Sequence, residues 1–281
     1  MAIIAVTGDC VTTTIVALAA GWPTPTESAH DLEALLVEAD PRGGSLSAWF
    51  DTPATPSLST VVTALHQAGG SADDAHRSSG QRWATIDPLV QRSSAGPRFI
   101  PAPTRSREAR TAVHEAAHSL FPVLAEHDRS VALVDTGALD IARPSHAFRF
   151  ADVVVLCHRQ EAASAAASAA RIDRLVEQAD ALTSAGHRVA IALVGDEPFA
   201  LDEVIAFAAP ESTGWLLPVD PLAAAVLAGR RGVSARRLAR LPLMRGAADV
   251  ADDLARLVTD RRRTRNQTST GQPAPDPQVT R

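Results

Sequence analysis

The sequence predicts a doubly wound α/β domain, in which a mostly parallel sheet carries helices on both faces. Short aliphatic runs alternate with amphipathic or alanine-rich stretches of helical length, and this alternation is typical of successive βα units. The short runs are apolar at every position rather than at every second one, which indicates strands that are buried on both faces. We place the domain at residues 1–260 of the 281.

Each continuous aliphatic run is a predicted strand, and each longer stretch between two runs is a predicted helix. The predicted strands are Ile3–Val6, Ala34–Val37, Phe99–Pro101, Val131–Val134, Val153–Leu156, Val189–Val194 and Trp215–Leu217. The predicted helices are Thr14–Ala20, Leu58–Ala68, Ser106–Ala125, Glu161–Ala185, Ala200–Ala208, Pro221–Ala228 and Ala247–Val258.

Two stretches depart from this alternation. Residues 70–97 are rich in Gly, Ser, Asp and Arg, and we expect an irregular excursion around a short strand at Trp83–Ile86. Residues 261–281 contain Arg, Thr, Gln and Pro with almost no apolar side chain, so we expect a disordered basic tail.

Composition excludes several kinds of chemistry and indicates a compartment. All 27 basic residues are arginine, so every mechanism that needs a lysine is excluded, including Schiff-base chemistry and the lysine of a standard phosphate-binding loop. Cys10 and Cys157 are the two cysteines, which is too few for a disulfide framework. No run approaches the roughly 18 apolar residues of a spanning helix. We therefore expect a cytoplasmic protein without a transmembrane segment, which reaches a membrane or cell pole only through a partner.

The charge is distributed unevenly along the chain. Residues 1–228 contain 15 Arg and 27 Asp and Glu, whereas residues 229–281 contain 12 Arg and 5 acidic residues. Such asymmetry is typical of a basic surface for an acidic partner. The candidate residues for non-specific contact with DNA or another anionic surface are Arg230, Arg231, Arg236, Arg237, Arg240 and Arg245. A solvated arginine face without a partner is the alternative.

The loop after the first predicted strand is the first candidate site, because ligands of open α/β sheets bind at the carboxyl ends of strands. The loop reads Gly8-Asp9-Cys10-Val11-Thr12-Thr13-Thr14. The second strand ends in Glu38-Ala39-Asp40-Pro41-Arg42-Gly43, and a later strand ends in Asp135-Thr136-Gly137. Acidic side chains therefore follow two strands that are expected to end beside this loop.

This order of motifs resembles the ParA/MinD family of P-loop ATPases over about residues 1–258. The Glu-Ala-Asp-Pro-Arg-Gly run is its most specific part, and the loop is similar to a branch with a degenerate, lysine-less phosphate loop, such as the localisation proteins of tight-adherence pilus systems. The resemblance implies a P-loop NTPase fold and a nucleotide-binding loop. That loop would comprise Gly8, Asp9, Cys10, Val11, Thr12, Thr13 and Thr14. It also implies magnesium ligands at Thr14, Asp40 and Asp135, with Asp40 the catalytic residue if the chain is active.

The loop departs from the family's pattern where the phosphates would lie. The signature lysine falls on Thr13 and a second lysine, which reaches across the dimer in this family, falls on Gly8. The glycine positions of the family hold Asp9, Cys10 and Thr12. A carboxylate at position 9 would repel a triphosphate by roughly 1–4 kcal/mol at contact distance. The first arginine of the chain is Arg42, which makes it the candidate replacement cation.

These departures favour a non-hydrolysing localisation or scaffolding factor with a protein partner. The resemblance implies spatial positioning, namely partition, septum placement, or placement of a pilus or secretion machine. The alternative is a weak ATPase that acts as a nucleotide switch and forms a homodimer. We expect either no cofactor or weakly bound Mg-ATP or Mg-ADP.

A second motif, His114-Glu115-Ala116-Ala117-His118, matches the H-E-x-x-H pattern of zinc hydrolases. On a helix, both imidazoles would lie on one face, and the glutamate could activate a water. Ala116 stands where zinc peptidases have a bulky apolar residue, and the helix offers no well-placed third ligand. We therefore expect two solvated histidines beside a buried stripe of Ala112, Ala116, Leu120 and Val123, and we do not expect zinc.

Overall fold

The structure is a computed structural model that describes the backbone of residues 2–23, 33–68, 79–93, 97–127, 130–161 and 164–270, with side chains of the last range through Asp260. The strands are β1 (Ala2–Gly8), β2 (Glu33–Glu38), β3 (Gln91–Arg92), β4 (Arg98–Ile100), β5 (Ser130–Asp135), β6 (Val153–Arg159), β7 (Val189–Val194) and β8 (Thr213–Leu217). Their order in the sheet is β3-β4-β2-β5-β1-β6-β7-β8, and each neighbouring pair is parallel except β3 and β4.

Helices cover both faces of this sheet. They are α1 (Val11–Ala20), α2 (Leu46–Trp49), α3 (Leu58–Ala68), α4 (Ser79–Ile86), α5 (Ser106–Ala116), α6 (Leu120–Glu126), α7 (Ala165–Ser184), α8 (Leu201–Ala208), α9 (Pro221–Leu227), α10 (Ala235–Leu238) and α11 (Pro242–Thr270). Two 3₁₀ turns lie at Asp87–Leu89 and His146–Phe150. The predicted doubly wound α/β fold is confirmed.

Alternate residues of the central strand β1 enter different parts of the core. Ile4 and Val6 belong to the cluster that contains α1 and α11, whereas Ile3 packs with α5 and α6. All residues of β1 from Ala2 to Val6 are buried. The continuous apolar run therefore reflects burial on both faces of the sheet, as the sequence predicted.

The predicted strand at Trp83–Ile86 is wrong, because these residues form the end of helix α4. Ile86 is buried, and Trp83 packs against the same hydrophobic cluster. Residues three positions apart lie on one side of a helix, so the helix directs both side chains to the core. Residues 70–78 and 94–96 of the expected irregular excursion lie outside the described residues.

The single helix predicted at Ser106–Ala125 is two helices, α5 and α6. Pro122 has no backbone N–H and cannot continue a helix from preceding turns, but it is tolerated in the first turn of a new one. It is the third residue of α6. The predicted buried stripe of Ala112, Ala116, Leu120 and Val123 is nevertheless confirmed.

The last helix also differs from the sequence prediction. Its backbone continues to Thr270, ten residues past the predicted domain boundary at 260. Arg and Gln in this segment are good helix formers, and a helix that is already nucleated by packing extends at little cost. The rest of the predicted disordered tail, 271–281, lies outside the described residues.

Candidate functional site

The carboxyl ends of β1, β2, β5 and β6 bring the predicted site residues to one edge of the sheet. In register, Asp135 pairs with Val6 of β1 on one side and with Glu38 of β2 on the other. Gly8 pairs with Cys157 of β6. The loop 8–10 thus lies beside both acidic strand ends, as the sequence predicted.

The loop after β1 lies directly on the end of β6. The backbone N–H of Asp9 donates a 2.8 Å hydrogen bond to the carbonyl oxygen of Cys157. Gly8 has φ 106°, and a Cβ there would overlap that same carbonyl oxygen. Only glycine fits at position 8, so this backbone has no room for the family's second lysine at that position.

Helix α1 begins immediately after a strained residue. Cys10 adopts a left-handed conformation with φ 54°, which is uncommon for a residue other than glycine. Its carbonyl accepts the first helical hydrogen bond from the N–H of Thr14, at 3.1 Å. The N-terminal end of α1 therefore opens at the sheet edge, where a phosphate would be bound in the P-loop manner.

The Asp9 carboxylate turns toward β6 and α7. Its Oδ2 lies 3.4 Å from Nη2 of Arg171 and 3.4 Å from the backbone N of Arg159. It also lies 3.8 Å from Nδ1 of the buried His158, whose pKa is lowered by burial although Asp9 raises it. The repulsion expected from Asp9 is thus partly offset by Arg171, a partner that the sequence analysis did not identify.

Thr12 and Asp135 are bonded to each other. The Thr12 hydroxyl donates to Asp135 Oδ2 at 2.9 Å, and the N–H of Gly137 donates to Oδ1 at 2.9 Å. Burial raises the pKa of Asp135 to about 6, and the two hydrogen bonds act in the opposite direction. This carboxylate is therefore held in place by the loop and is fully removed from solvent.

Arg42 is bonded to Asp40 rather than to the loop. Its Nε lies 3.0 Å from Oδ1 and its Nη2 lies 2.7 Å from Oδ2, while its backbone N–H donates to Oδ1 at 2.8 Å. The Arg42 side chain is 66% exposed, whereas that of Asp40 is 14% exposed. The candidate replacement cation is therefore already neutralised by the candidate catalytic residue.

Glu38 is a buried carboxylate that the sequence analysis did not single out. It accepts hydrogen bonds from the backbone N–H groups of Ser45 at 2.6 Å, Leu46 at 3.2 Å and Ala102 at 3.0 Å. Burial raises its pKa to about 7, against these hydrogen bonds. Glu38 fixes the segment after β2, which carries Asp40 and Arg42, against the segment after β4.

The three predicted magnesium ligands each have another partner. Thr14 is buried and its hydroxyl is hydrogen-bonded to the Cys157 thiol, while Asp40 binds Arg42 and Asp135 binds Thr12. Among the residues that the structure describes, no three His, Cys, Asp or Glu side chains are arranged to hold a metal. Magnesium binding at Thr14, Asp40 and Asp135 stays a prediction.

A cavity of about 410 Å³, which we call the α1 cavity, opens beside the N-terminal end of this helix. It is lined by Thr13 and Thr14 of α1, by Arg159 at the end of β6, and by Arg230 after α9. Arg159 also contacts Cys10, whose thiol pKa is raised by burial and lowered by Arg159. Arg159 was missed by the sequence analysis, although it follows a predicted strand on its carboxyl side, where ligands of open α/β sheets bind.

The C-terminal arginines are all exposed. Arg236 and Arg237 lie in the four-residue helix α10, and Leu238 and Leu241 pack against the core, as the sequence predicted. The predicted anionic-surface residues are Arg230, Arg231, Arg236, Arg237, Arg240 and Arg245. None of these six arginines forms an ion pair with a carboxylate among the described residues.

The H-E-x-x-H histidines lie outside the α1 cavity. His114 is in α5, whereas His118 is in the turn between α5 and α6, and their rings are 5.3 Å apart. The intervening Glu115 lies 3.7 Å from Nε2 of His66. The helix break before Pro122 thus removes His118 from the regular helix that the zinc hypothesis assumed, and the absence of zinc stays a prediction.

No described helix combines the length and the apolar character that crossing a bilayer requires.

Comparison with known proteins shows similarity in structure but not in sequence. No known protein family and no curated protein sequence matches the chain. A ParA family ATPase from Chlorobium tepidum is 16% identical over 89% of this chain and 97% of its own, with a TM-score of 0.62. The septum site-determining protein MinD from Pyrococcus horikoshii, complexed with Mg-ADP, is 12% identical over 92% of this chain and 97% of its own, with a TM-score of 0.64.

A third structure of similar fold is the ATP complex of Cyanothece McdA, with 12% identity, coverage of 90% of this chain and 95% of that one, and a TM-score of 0.55. Identities this low show the fold and leave the activity open. The chain therefore has the ParA/MinD-type P-loop ATPase fold, as the sequence motifs predicted.

Proposed function

We propose that this chain is a positioning protein of the ParA/MinD fold that acts as a scaffold for a protein partner and does not hydrolyse ATP. One observation carries the proposal: the polar side chains at the phosphate-binding edge are bonded to one another. Thr12 binds Asp135, and Arg42 binds Asp40. In this interpretation the protein works in the cytoplasm and is recruited to its place by the partner.

Phosphoryl transfer depends on cations that bind the phosphates and on a positioned group for the attacking water. The loop of this chain has no lysine, and Asp40, the candidate catalytic carboxylate, is neutralised by Arg42. Binding Mg-ATP in a hydrolytic geometry would require both pairs to break. The fold would then supply a surface that binds a partner, and it would not catalyse phosphoryl transfer.

A nucleotide switch is the second candidate, and the α1 cavity favours it. Its volume of about 410 Å³ falls in the usual range of small-molecule sites. Arg159 and Arg230 line it together with the N-terminal end of α1, and Asp220 also lines it, so two cations and a helix N-terminus border one space. We expect any bound nucleotide to use Arg159 in the role of the missing lysine.

The test combines calorimetric titration of the purified full chain with ATP and with ADP, each with Mg²⁺, and an assay of phosphate release. We expect no phosphate release above the level without protein. Release that Asp40→Asn abolishes would overturn the proposal and establish an ATPase.

The binding arm of the experiment separates the two candidates. If nucleotide binds and Arg159→Ala weakens it while Arg42→Ala does not, the α1 cavity is a nucleotide site without hydrolysis. Light scattering then tests the switch, because a switch requires a change from monomer to dimer with nucleotide, whereas a scaffold keeps one state. Loss of binding in Arg42→Ala would mean that Arg42 leaves Asp40 and contacts the phosphates.

A further inference from the structure

A second cavity, of about 310 Å³, opens at the same edge of the sheet but on the face covered by α5. We call it the α5 cavity. It shares no lining residue with the α1 cavity. It lies between the segment that follows β2, the segment that follows β5, and helix α5. Apart from Arg42, none of its lining residues belongs to the candidate nucleotide site.

Cationic side chains line the α5 cavity from three different segments. Arg42 follows β2, Arg110 lies on α5, and Arg143 follows β5. Arg110 and Arg143 form no ion pair with any carboxylate among the described residues. His114 and His146 add two imidazoles, whose rings lie 5.5 Å apart.

The acidic groups nearby are already bonded elsewhere. Asp40 is paired with Arg42. Asp140, which also lines the cavity, accepts hydrogen bonds at Oδ1 from the backbone N–H groups of Ala142 at 3.0 Å and Arg143 at 3.3 Å. Arg42 is offset by Asp40, and the Asp140 carboxylate offsets one of the two remaining guanidinium groups, so the cavity keeps one net positive charge even when the histidines are neutral.

The remaining wall of the cavity is apolar. Val113, Leu139 and the buried Phe148 contribute hydrocarbon surface. The two threonines that line it, Thr7 and Thr136, donate their hydroxyl groups to the backbone carbonyls of Gly137 and Val6. A ligand would therefore find an apolar wall and, separately, two unpaired guanidinium groups.

We propose that the α5 cavity binds a small organic anion, with its phosphate or carboxylate group held by Arg110 and Arg143 and its apolar body against Leu139 and Phe148. Guanidinium groups bind both kinds of oxyanion through paired hydrogen bonds. A cavity of this size, with mostly apolar walls and a few charged groups, is typical of small-molecule sites. This site is independent of ATP binding or hydrolysis at the other cavity.

The experiment titrates phenyl phosphate and 3-phenylpropionate into the full-length chain and follows two-dimensional NMR shifts. We expect saturable binding of at least one probe in the low-millimolar range or tighter, and none of the neutral benzyl alcohol. The probe that binds more tightly identifies the preferred head group. Arg110→Ala and Arg143→Ala should each weaken binding at least fivefold.

Matched variants separate this site from general charge effects. Arg107→Ala removes an exposed arginine of the same helix that does not line the cavity, and it should leave binding unchanged. Arg159→Ala alters only the α1 cavity and should also have no effect. Arg110 and Arg143 are exposed, and circular dichroism will check that their variants fold.

Two results would overturn the inference. One is the absence of saturable binding by either probe. The other is binding that Arg159→Ala removes and Arg110→Ala leaves intact, because the probes would then occupy the α1 cavity. ATP hydrolysis would overturn the proposed function and leave this inference untouched, since no residue of the α1 cavity contributes to it.

Discussion

The Thr12 hydroxyl donates a 2.9 Å hydrogen bond to Oδ2 of Asp135, which joins the first turn of α1 to the end of β5. The two residues are 123 positions apart in the chain, and Asp135 is fully buried. The bond holds the start of α1 against the end of β5. The Thr12 hydroxyl, which could otherwise cap α1 or contact a ligand, therefore stabilises the fold instead.

Replacing Thr12 with valine tests this role. The valine keeps the shape but removes the donor, so the pKa of Asp135 should rise above its value of about 6. A hydrogen bond to a charged group contributes about 1.5–3 kcal/mol, and the ionised form predominates above pH 6. We expect a loss of that order in the free energy of unfolding at pH 8 and a smaller loss at pH 5, measured by urea denaturation.

The control for this variant is Thr13→Val, at the neighbouring position that lines the α1 cavity. Thr13→Val should change the free energy of unfolding only slightly, and by the same amount at pH 5 and pH 8. Equal losses for Thr12→Val at pH 5 and pH 8 would contradict the assigned role of the hydrogen bond to ionised Asp135.

The buried Glu38 makes the stability of the chain depend on pH. Its pKa is raised from 4.5 to about 7 in the folded state, so between these values the folded chain holds a proton that the unfolded chain has lost. Stability from this group is therefore present below pH 4.5 and is lost as the pH rises through 7. The full effect is about 3 kcal/mol.

Glu38→Gln removes this titration. We expect the free energy of unfolding of the variant to decline less between pH 4.5 and 7.5 than that of the natural chain, in urea denaturation at several pH values. Asp135→Asn is the matched comparison, because it removes a titration in the lower window between 3.8 and about 6. An unchanged slope in Glu38→Gln would show that Glu38 stays ionised in the folded chain.

The strands and most helices could be predicted because their signals are local. Runs such as Val131–Val134 are buried on both faces and are apolar throughout, so composition alone locates them. The break between α5 and α6 also had a local signal in Pro122, which the prediction of a single helix at Ser106–Ala125 did not take into account. Trp83–Ile86 has residues that favour strands, and its helical state results from packing against the core.

The candidate site could be located from the sequence but its pairings could not. Asp9 binds Arg171 across 162 positions, and Arg159 reaches Cys10 from a different strand. Such contacts depend on strand order, because β6 lies beside β1 in the sheet. Asp40 and Arg42 are only two residues apart in the chain. Their ion pair could therefore have been predicted from the local turn that an aspartate before a proline favours.

Thr13→Lys should increase affinity for ATP. Thr13 lies in the first turn of α1 and lines the α1 cavity, where an added cation would face a phosphate beside the helix N-terminus. We expect at least tenfold tighter binding of Mg-ATP by calorimetry. Thr63→Lys on the exposed side of α3 adds the same charge elsewhere and should have no effect.

The other lysine of the family cannot be restored in the same way. Any side chain at position 8 would overlap the carbonyl oxygen of Cys157. The backbone φ of 106° at this position is also unfavourable for every residue other than glycine. Gly8→Ala should therefore lower the free energy of unfolding by about 1–3 kcal/mol. A stable Gly8→Ala chain would show that the loop can move away from β6, and Gly8→Lys would then become a reasonable test of dimerisation.

The exposed arginines near the C-terminal end of the domain are expected to bind double-stranded DNA through its phosphates. Arg236, Arg237 and Arg240 have no described acidic partner and lie close together in the chain. Each phosphate contact contributes about 0.9 to the slope of log K against log salt. The triple alanine variant should therefore weaken binding in a fluorescence anisotropy titration and reduce that slope.

The matched control is a triple alanine variant of Arg149, Arg174 and Arg188, which are equally exposed and lie on other segments of the fold. It changes the net charge by the same amount, so an effect of overall charge would be identical in both variants. A localised DNA-binding surface predicts a loss only when Arg236, Arg237 and Arg240 are replaced. Equal losses would mean that the arginines act only through net charge, and no change in either variant would remove DNA as the partner of this surface.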